Sequence, residues 1–215
     1  GDTIYGGKNA GIGSSVAISS NGTIIAITQK KIFAGALFDN RGVVYIYEWD
    51  DSSWNQLGGD IRGEDDSDQS GTSLAISSDG TRIAIGAPSN NGNGTRSGHV
   101  RVYEYDSAKT TAVTDQTSST FGPIGWNRVG GDIDGEALED SSGWSVAMNS
   151  SGTIIAIGAP YNDGNGDYSG HVRVYNYNTE TNEWTQLGGD IDGEAANEKS
   201  GTSVAMKSSG TRIAI

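Results

Sequence analysis

The chain repeats itself, and that constrains its fold more than any other property. The string SSVAISSNGTIIAIT over 14–28 returns as TSLAISSDGTRIAIG over 72–86, WSVAMNSSGTIIAIG over 144–158 and TSVAMKSSGTRIAI over 202–215. Aligned on Val16, Leu74, Val146 and Val204, the copies are spaced by 58, 72 and 58 residues. A second block recurs as GVVYIYEWD, GHVRVYEYD and GHVRVYNYN, and a third as WNQLGGDIRGE, WNRVGGDIDGE and WTQLGGDIDGE. The longer middle spacing comes from one Ser/Thr-rich insertion, 107–125, which is expected to be an extended surface loop. Units of this length, each with its own turn signals, are the signature of a repeat architecture.

Each unit parses into four short strands. The first ends at Asn21-Gly22, Asp79-Gly80, Ser151-Gly152 or Ser209-Gly210, which predicts a two-residue hairpin with both central residues at positive φ. The fourth is expected to run from Trp54, Trp126 or Trp184 to the Gly-Gly-Asp-Ile string. No stretch has a capped 3.6-residue apolar period, so essentially no helix is expected. In the first hairpin the bulky residues lie on one face and alanines on the other: Val16 and Ile18 against Ala17, Ile83 and Ile85 against Ala84. Strands built this way are buried on both sides. Radial stacking, with one sheet's bulky face on the next sheet's alanines, satisfies them. The sequence therefore predicts an all-β fold, a β-propeller of four-stranded antiparallel blades, with repeats near 12–60, 70–132, 142–190 and 200–215. A solenoid is the alternative, but the repeats are long for one.

About three and a half blades do not close a ring. Gly1-Asp2 also aligns with the end of a preceding blade at Gly59-Asp60, so further blades of the same chain, or another chain, are expected to complete it.

Glycine at 33 of 215 residues is about twice the usual share, and it falls at fixed repeat addresses. Cysteine is absent, which excludes disulfides, thiolate metal sites and a cysteine nucleophile. A net charge of −13 opposes nucleic-acid binding, and no apolar run is long enough to insert in a membrane. The chain opens on Gly with no charged-then-apolar leader, so any signal peptide is expected to be already removed.

The string S-G-x-S-V/L-A, then G-T-x-I-A-I-G-A-P, then G-x-V-x-V-Y, resembles the FG-GAP repeat, which builds the propellers of integrin α subunits and of many surface proteins. Gly86-Ala87-Pro88 and Gly158-Ala159-Pro160 match its GAP element; Thr28-Gln29-Lys30 departs from it, and Phe-Gly is reduced to Ser70-Gly71, Ser142-Gly143 and Ser200-Gly201. The resemblance implies an extracellular or cell-surface protein used for adhesion, protein or glycan interaction, or structural assembly. Many family blades bind calcium between their first two strands; a two-residue turn there has no room for a cation needing six to eight oxygens.

Candidate sites follow from departures from the repeat. In the loop after the second strand of the third unit, Asn162, Asp163, Asn165 and Asp167 alternate with glycines and can converge on Ca²⁺. The other reading is a solvated turn, favoured because the equivalent loop 89–95 has no carboxylate. The recurring Asp60/Glu64, Asp132/Glu136 and Asp190/Glu194 read as structural, with the Asp holding a tight turn, because every unit has them. His99 and His171 share one repeat position and belong to different blades. Trp54, Trp126 and Trp184 recur and are expected to cover blade flanks. Trp144 does not recur, its equivalents being Ser14, Thr72 and Thr202, and it is the aromatic residue expected to contact a ligand. Asn21, Asn93 and Asn149 begin N-glycosylation sequons, with Asn93 expected to be the most accessible.

With no unique catalytic constellation, the expectation is a non-enzymatic interaction module that needs no cofactor, with calcium as the only candidate ion. The alternative is part of a polysaccharide hydrolase or lyase with its site in the central channel.

Overall fold

The computed structural model describes residues 3–4, 11–30, 32–34 and 37–215, with 32–34 and 37–39 as backbone strands. The alignment of Gly1-Asp2 with a preceding blade lies outside these residues. Among the described residues there is no helix. Three antiparallel sheets follow one another along the chain. In the first, the order from the inside is Ile12–Ile18, Ile24–Gln29, Val43–Trp49 and Trp54–Gln56. In the second it is Ser73–Ile76, Arg82–Ala87, His99–Tyr105 and Trp126–Arg128. In the third it is Ser145–Met148, Ile154–Ala159, His171–Asn178 and Glu183–Gln186. A last hairpin, Ala205–Met206 with Ile213–Ala214, begins a fourth unit. The chain is thus a partial β-propeller, as the repeat predicts.

The outermost strand departs from expectation. It breaks in two, and the second piece (Ile61–Arg62, Ile133–Asp134 or Ile191–Asp192) pairs with the start of the third strand. The break falls at the glycine doublet, where Gly58, Gly130 and Gly188 take φ of 74°, 71° and 75°. A left-handed residue cannot continue a ladder, and glycine takes that conformation without strain.

The first hairpin is also wider than predicted. Ser19 donates its backbone N–H to the Ile24 carbonyl, leaving four residues between them. In the Asn21-Gly22 and Asp79-Gly80 turns only the glycine lies at positive φ. The preceding side chain does the rest: Asp79 Oδ1 accepts from the Ser77 hydroxyl at 2.6 Å and from the backbone N–H and hydroxyl of Thr81. Asn21 Oδ1 does the same with Ser19 and Thr23. An oxygen that gathers local donors makes a wider turn cheaper than a two-residue one. These turns also link the blades, since Ser20, Ser78 and Ser150 each donate a backbone N–H to Ser78, Ser150 and Ser208 of the next.

Packing follows the bulky-against-small rule. Ile24, Ala26, Val44 and Ile46 of the first blade meet Ile83, Ile85, Tyr103 and Trp126 of the second. Ala84, Val100 and Val102 of the second meet Val146, Ile155 and Ile157 of the third. Burying each large side chain is worth about 1.5–3 kcal/mol, so the cohesion of the molecule lies between blades.

The GAP glycine has a steric cause. A Cβ on Gly86 would collide with the carbonyl of Gly143, and one on Gly158 with that of Gly201. The same carbonyls accept hydroxyl hydrogen bonds from Ser73 at 2.8 Å and Ser145 at 2.7 Å. In the first blade Thr28 stands in this place and itself supplies the hydroxyl, to Gly71 O at 2.7 Å, which explains how that unit tolerates losing the motif.

Candidate functional site: polar clasps and an aromatic cleft

Two polar clusters join neighbouring blades. At the first interface Arg101, on the third strand of the second blade, holds Asp132 through Nε and Nη2 at 2.7 and 2.6 Å. Its Nη2 also reaches Glu64, from the end of the first blade, at 2.6 Å. At the second interface Arg173 holds Asp190, with Nε–Oδ1 at 3.0 Å, and pairs with Glu136 of the preceding blade. The recurring carboxylates are therefore structural, but their partners are guanidinium groups rather than turn N–H groups. The Asp132/Glu136 couple is split between the two clasps, whereas Asp60 pairs with Arg62 of its own blade at 2.8 Å.

Glu64, His99 and Asp132, and likewise Glu136, His171 and Asp190, offer ligand atoms within 4.8 Å of one another. In each trio an arginine already pairs with both carboxylates, which makes the groups ion-paired rather than cation-seeking. Burial alone would raise the Glu64 and Asp132 carboxyls, but the hydrogen bonds and charge of Arg101 outweigh it and hold both below the usual range. Burial, and then the Arg101 charge, pull His99 down to about 4. His171 is also lowered, by burial against the opposing pull of Asp190, and its buried Nδ1 has no hydrogen-bond partner.

The insertion 107–125 lies at the surface, with most of its residues exposed, but it is not extended. It folds back with an antiparallel bridge between Val113 and Gly122, and Ile124 O accepts the N–H of Gly59 at 2.8 Å. The Phe121 ring lies 5.4 Å from the Arg101 guanidinium and 5.1 Å from that of Arg128. The segment roofs the first clasp because two stacked guanidinium groups and an apolar ring stabilise each other there. The recurring tryptophans are structural as expected, and two of them reach the preceding blade: Trp126 and Trp184 donate their indole N–H to Leu57 O and Val129 O.

Trp144 immediately precedes the innermost strand of the third blade and is 38% exposed. It lines a cleft of about 570 Å³ between the second and third blades, together with Tyr161, Tyr168, Gln69, Ser89 and Ser141. The three rings stand edge to face: Trp144 to Tyr161 at 5.6 Å and 84°, Tyr161 to Tyr168 at 5.8 Å and 88°. Lys199 Nζ sits 5.1 Å over the Tyr161 ring. Arg96 and Glu139 complete the cleft as an ion pair at 3.3 Å. Tyr161 and Tyr168 went unnoticed in the sequence, although they replace Ser89 and Arg96 of the second unit and so break the repeat just as Trp144 does.

The loop read as a cation site is built as a turn. Asn162 is buried; its Oδ1 accepts the Gly164 N–H at 2.8 Å and its Nδ2 donates to Asp140 at 3.0 Å. Asn165 donates to the carbonyls of Gly193 and Glu194. Asp163 accepts the Tyr168 N–H at 2.7 Å, so it positions the cleft's outer ring. The backbone carbonyl of Asp167 accepts from Asn197. Asn90 and Asn93 make the same bonds one blade earlier, to Asp68, Gly135 and Glu136, and that repetition explains why these side-chain groups are spent on the fold.

The sequons also need correcting. Asn149 is buried and closes its hairpin, so it has no room for a glycan. The Asn93 amide is engaged by two carbonyls, which a glycan on that nitrogen would disturb. Asn21 and Asn93 are both exposed, and Asn21 engages its neighbours through its oxygen rather than its amide nitrogen. At the other inner-strand starts, the Thr72 and Thr202 hydroxyls donate to the Gln69 and Lys199 carbonyls.

Residues 133–175 match the family model described as the FG-GAP repeat. No curated protein sequence matches the chain. Solved structures similar to it include a protein provisionally assigned as a 6-phosphogluconolactonase from Bacteroides fragilis, with TM-score 0.48, 12% identity, 87% of this chain and 40% of that one. Another, provisionally assigned the same way, is from Bacteroides uniformis: TM-score 0.43, 10% identity, 94% of this chain and 63% of that one. A third is the periplasmic gluconolactonase of Pseudomonas aeruginosa: TM-score 0.36, 11% identity, 84% of this chain and 57% of that one. The chain thus spans less than two thirds of the length of each. These are the names of enzymes, and they overturn the expectation of a chain without a catalytic role, which is withdrawn. At such TM-scores the likeness assigns no reaction to this chain.

Proposed function

We propose that this chain is a recognition segment of a β-propeller, working at a cell surface and taking its ligand in the cleft between the second and third blades. The observation that carries the reading is the coincidence of three aromatic rings that break the repeat, Trp144, Tyr161 and Tyr168, in one cleft. A repeat protein keeps its structural residues in every unit, whereas a binding site needs unique ones on loops held by a rigid scaffold. The volume lies inside the roughly 300–1,000 Å³ of small-ligand sites. Probing immobilised glycan and protein arrays with the wild type and Trp144→Ala tests this. Signals lost in the variant are expected; an array on which no signal depends on Trp144 contradicts it.

A second reading, assembly, has its own observation. Val16 and Ile18 of the first blade are 51% and 55% exposed, while the equivalent Leu74 and Ile76 pack on the first blade and Val146 on the second. A further blade with a small-residue face, from this protein or another, fits that surface. Replacing both residues with Glu is expected to abolish any self-association or partner binding measured by light scattering; unchanged association contradicts the reading.

A further inference from the structure

We infer that the cleft takes an uncharged pyranose sugar, as part of a neutral glycan. This inference deepens the recognition reading above and rests on it. The face of a pyranose is a patch of C–H groups rimmed by hydroxyls, so it needs an apolar ring surface with hydrogen-bonding groups at the edge. Trp144 and the 46% exposed Tyr168 offer such surfaces. Their edge-to-face contacts through Tyr161, with Lys199 against that ring, fix them before a ligand arrives, which lowers the entropy cost of binding. Gln69 supplies a side-chain amide at the margin, able to donate and to accept.

Charge decides which sugar. Of the cations at the cleft, Lys199 is engaged by the Tyr161 ring at 5.1 Å, and Arg96 is neutralised by Glu139 at 3.3 Å. A uronate or sulfated sugar would have to break that pair and approach a chain of net charge −13. A quaternary ammonium ligand would compete with Lys199 for the Tyr161 face. A neutral ring meets neither penalty, and its hydroxyls can accept from Arg96 while donating to Glu139, leaving the ion pair intact. Neither charged group is repeated: Glu139 aligns with Ser67 and Asn197, and Arg96 with Tyr168.

Calorimetric titration of the full chain with cellohexaose, mannohexaose and maltohexaose, and in parallel with oligogalacturonate, tests the class. Binding of at least one neutral hexasaccharide is expected, weakened about tenfold or more by Trp144→Ala and by Tyr168→Ala and largely kept by Trp144→Phe. Both alanine variants should melt within a few degrees of wild type, because the rings they remove are partly exposed. Tighter binding of oligogalacturonate than of every neutral sugar overturns the inference, as does silence from all neutral sugars at about 10 mM. If the arrays then still give Trp144-dependent protein signals, the recognition reading survives and only the sugar class fails. If they give none, both fall.

Discussion

The two clasps use the same residue types at the same repeat addresses, yet they sit in different surroundings. Arg101 is 6% exposed and its partner Glu64 22%; Arg173 and Glu136 are 12% and 43% exposed. The difference comes from the insertion 107–125, which roofs the first clasp with Phe121 and adds a contact from Gln116 to Arg101 at 3.3 Å. The third blade closes the same connection with the five residues 179–183. Repetition therefore sets the geometry of an interblade contact, and a departure from repetition sets how far it is removed from water.

The largest expected effect comes from breaking each clasp at its arginine. Arg101→Ala leaves Glu64 partly buried without its guanidinium and Asp132 with Arg128 alone, and should cost about 3 kcal/mol in urea unfolding. Arg173→Ala should cost only about 1–2 kcal/mol, because water solvates what remains. Equal losses would break the comparison.

Acid comes next. The folded-state pKa of His99 lies at about 4, below its unfolded value near 6.5, so the fold favours the neutral ring. Stability is then full above pH 6.5 and falls as pH drops through the window from 6.5 to 4, by an amount on the order of 3 kcal/mol. His99→Gln should flatten that part of the profile. His171→Gln should flatten it less, since burial alone lowers that ring against the pull of Asp190, with no guanidinium charge adding to it. The carboxylates lowered by Arg101 add a further loss in the same direction at lower pH.

Replacing 107–125 with the five residues of 179–183 should make the first clasp resemble the second. Unfolding free energy should drop by about 1–2 kcal/mol. The His99 pKa, followed by NMR, should rise toward its ordinary value. An unmoved His99 would show that the roof contributes nothing to its burial. The smallest effect is ionic: about 1 M salt should weaken the Arg173 clasp by a few tenths of a kcal/mol more than the Arg101 clasp, read from the salt dependence of each alanine variant.

Much of this architecture is visible in the sequence. The alternation of Val16, Ala17 and Ile18, repeated in each unit, is enough to stack blades, and the GAP glycines mark where neighbouring backbones touch. The clasps were hidden because Glu64 finds Arg101 only after the next blade folds against the first. A signal existed, since Arg101 and Arg173 each follow a unit ending in Glu, while Tyr45 holds that position in the first blade. The insertion looked extended because Ser and Thr dominate it; the single Phe121 that anchors it has little weight in composition. The cleft was half legible: Trp144 stood out, but its two tyrosines lie in a loop whose asparagines and aspartates suggested a cation instead.

Hydrogen exchange of the chain, alone and with whichever glycan or protein the arrays identify, addresses the central claim most directly. Protection concentrated in 139–144 and 161–168, with the 14–28 hairpin unchanged, is the result expected of a recognition cleft between the second and third blades. Protection confined to the 14–28 hairpin, with the cleft segments unaffected, would contradict it and leave assembly as the chain's role.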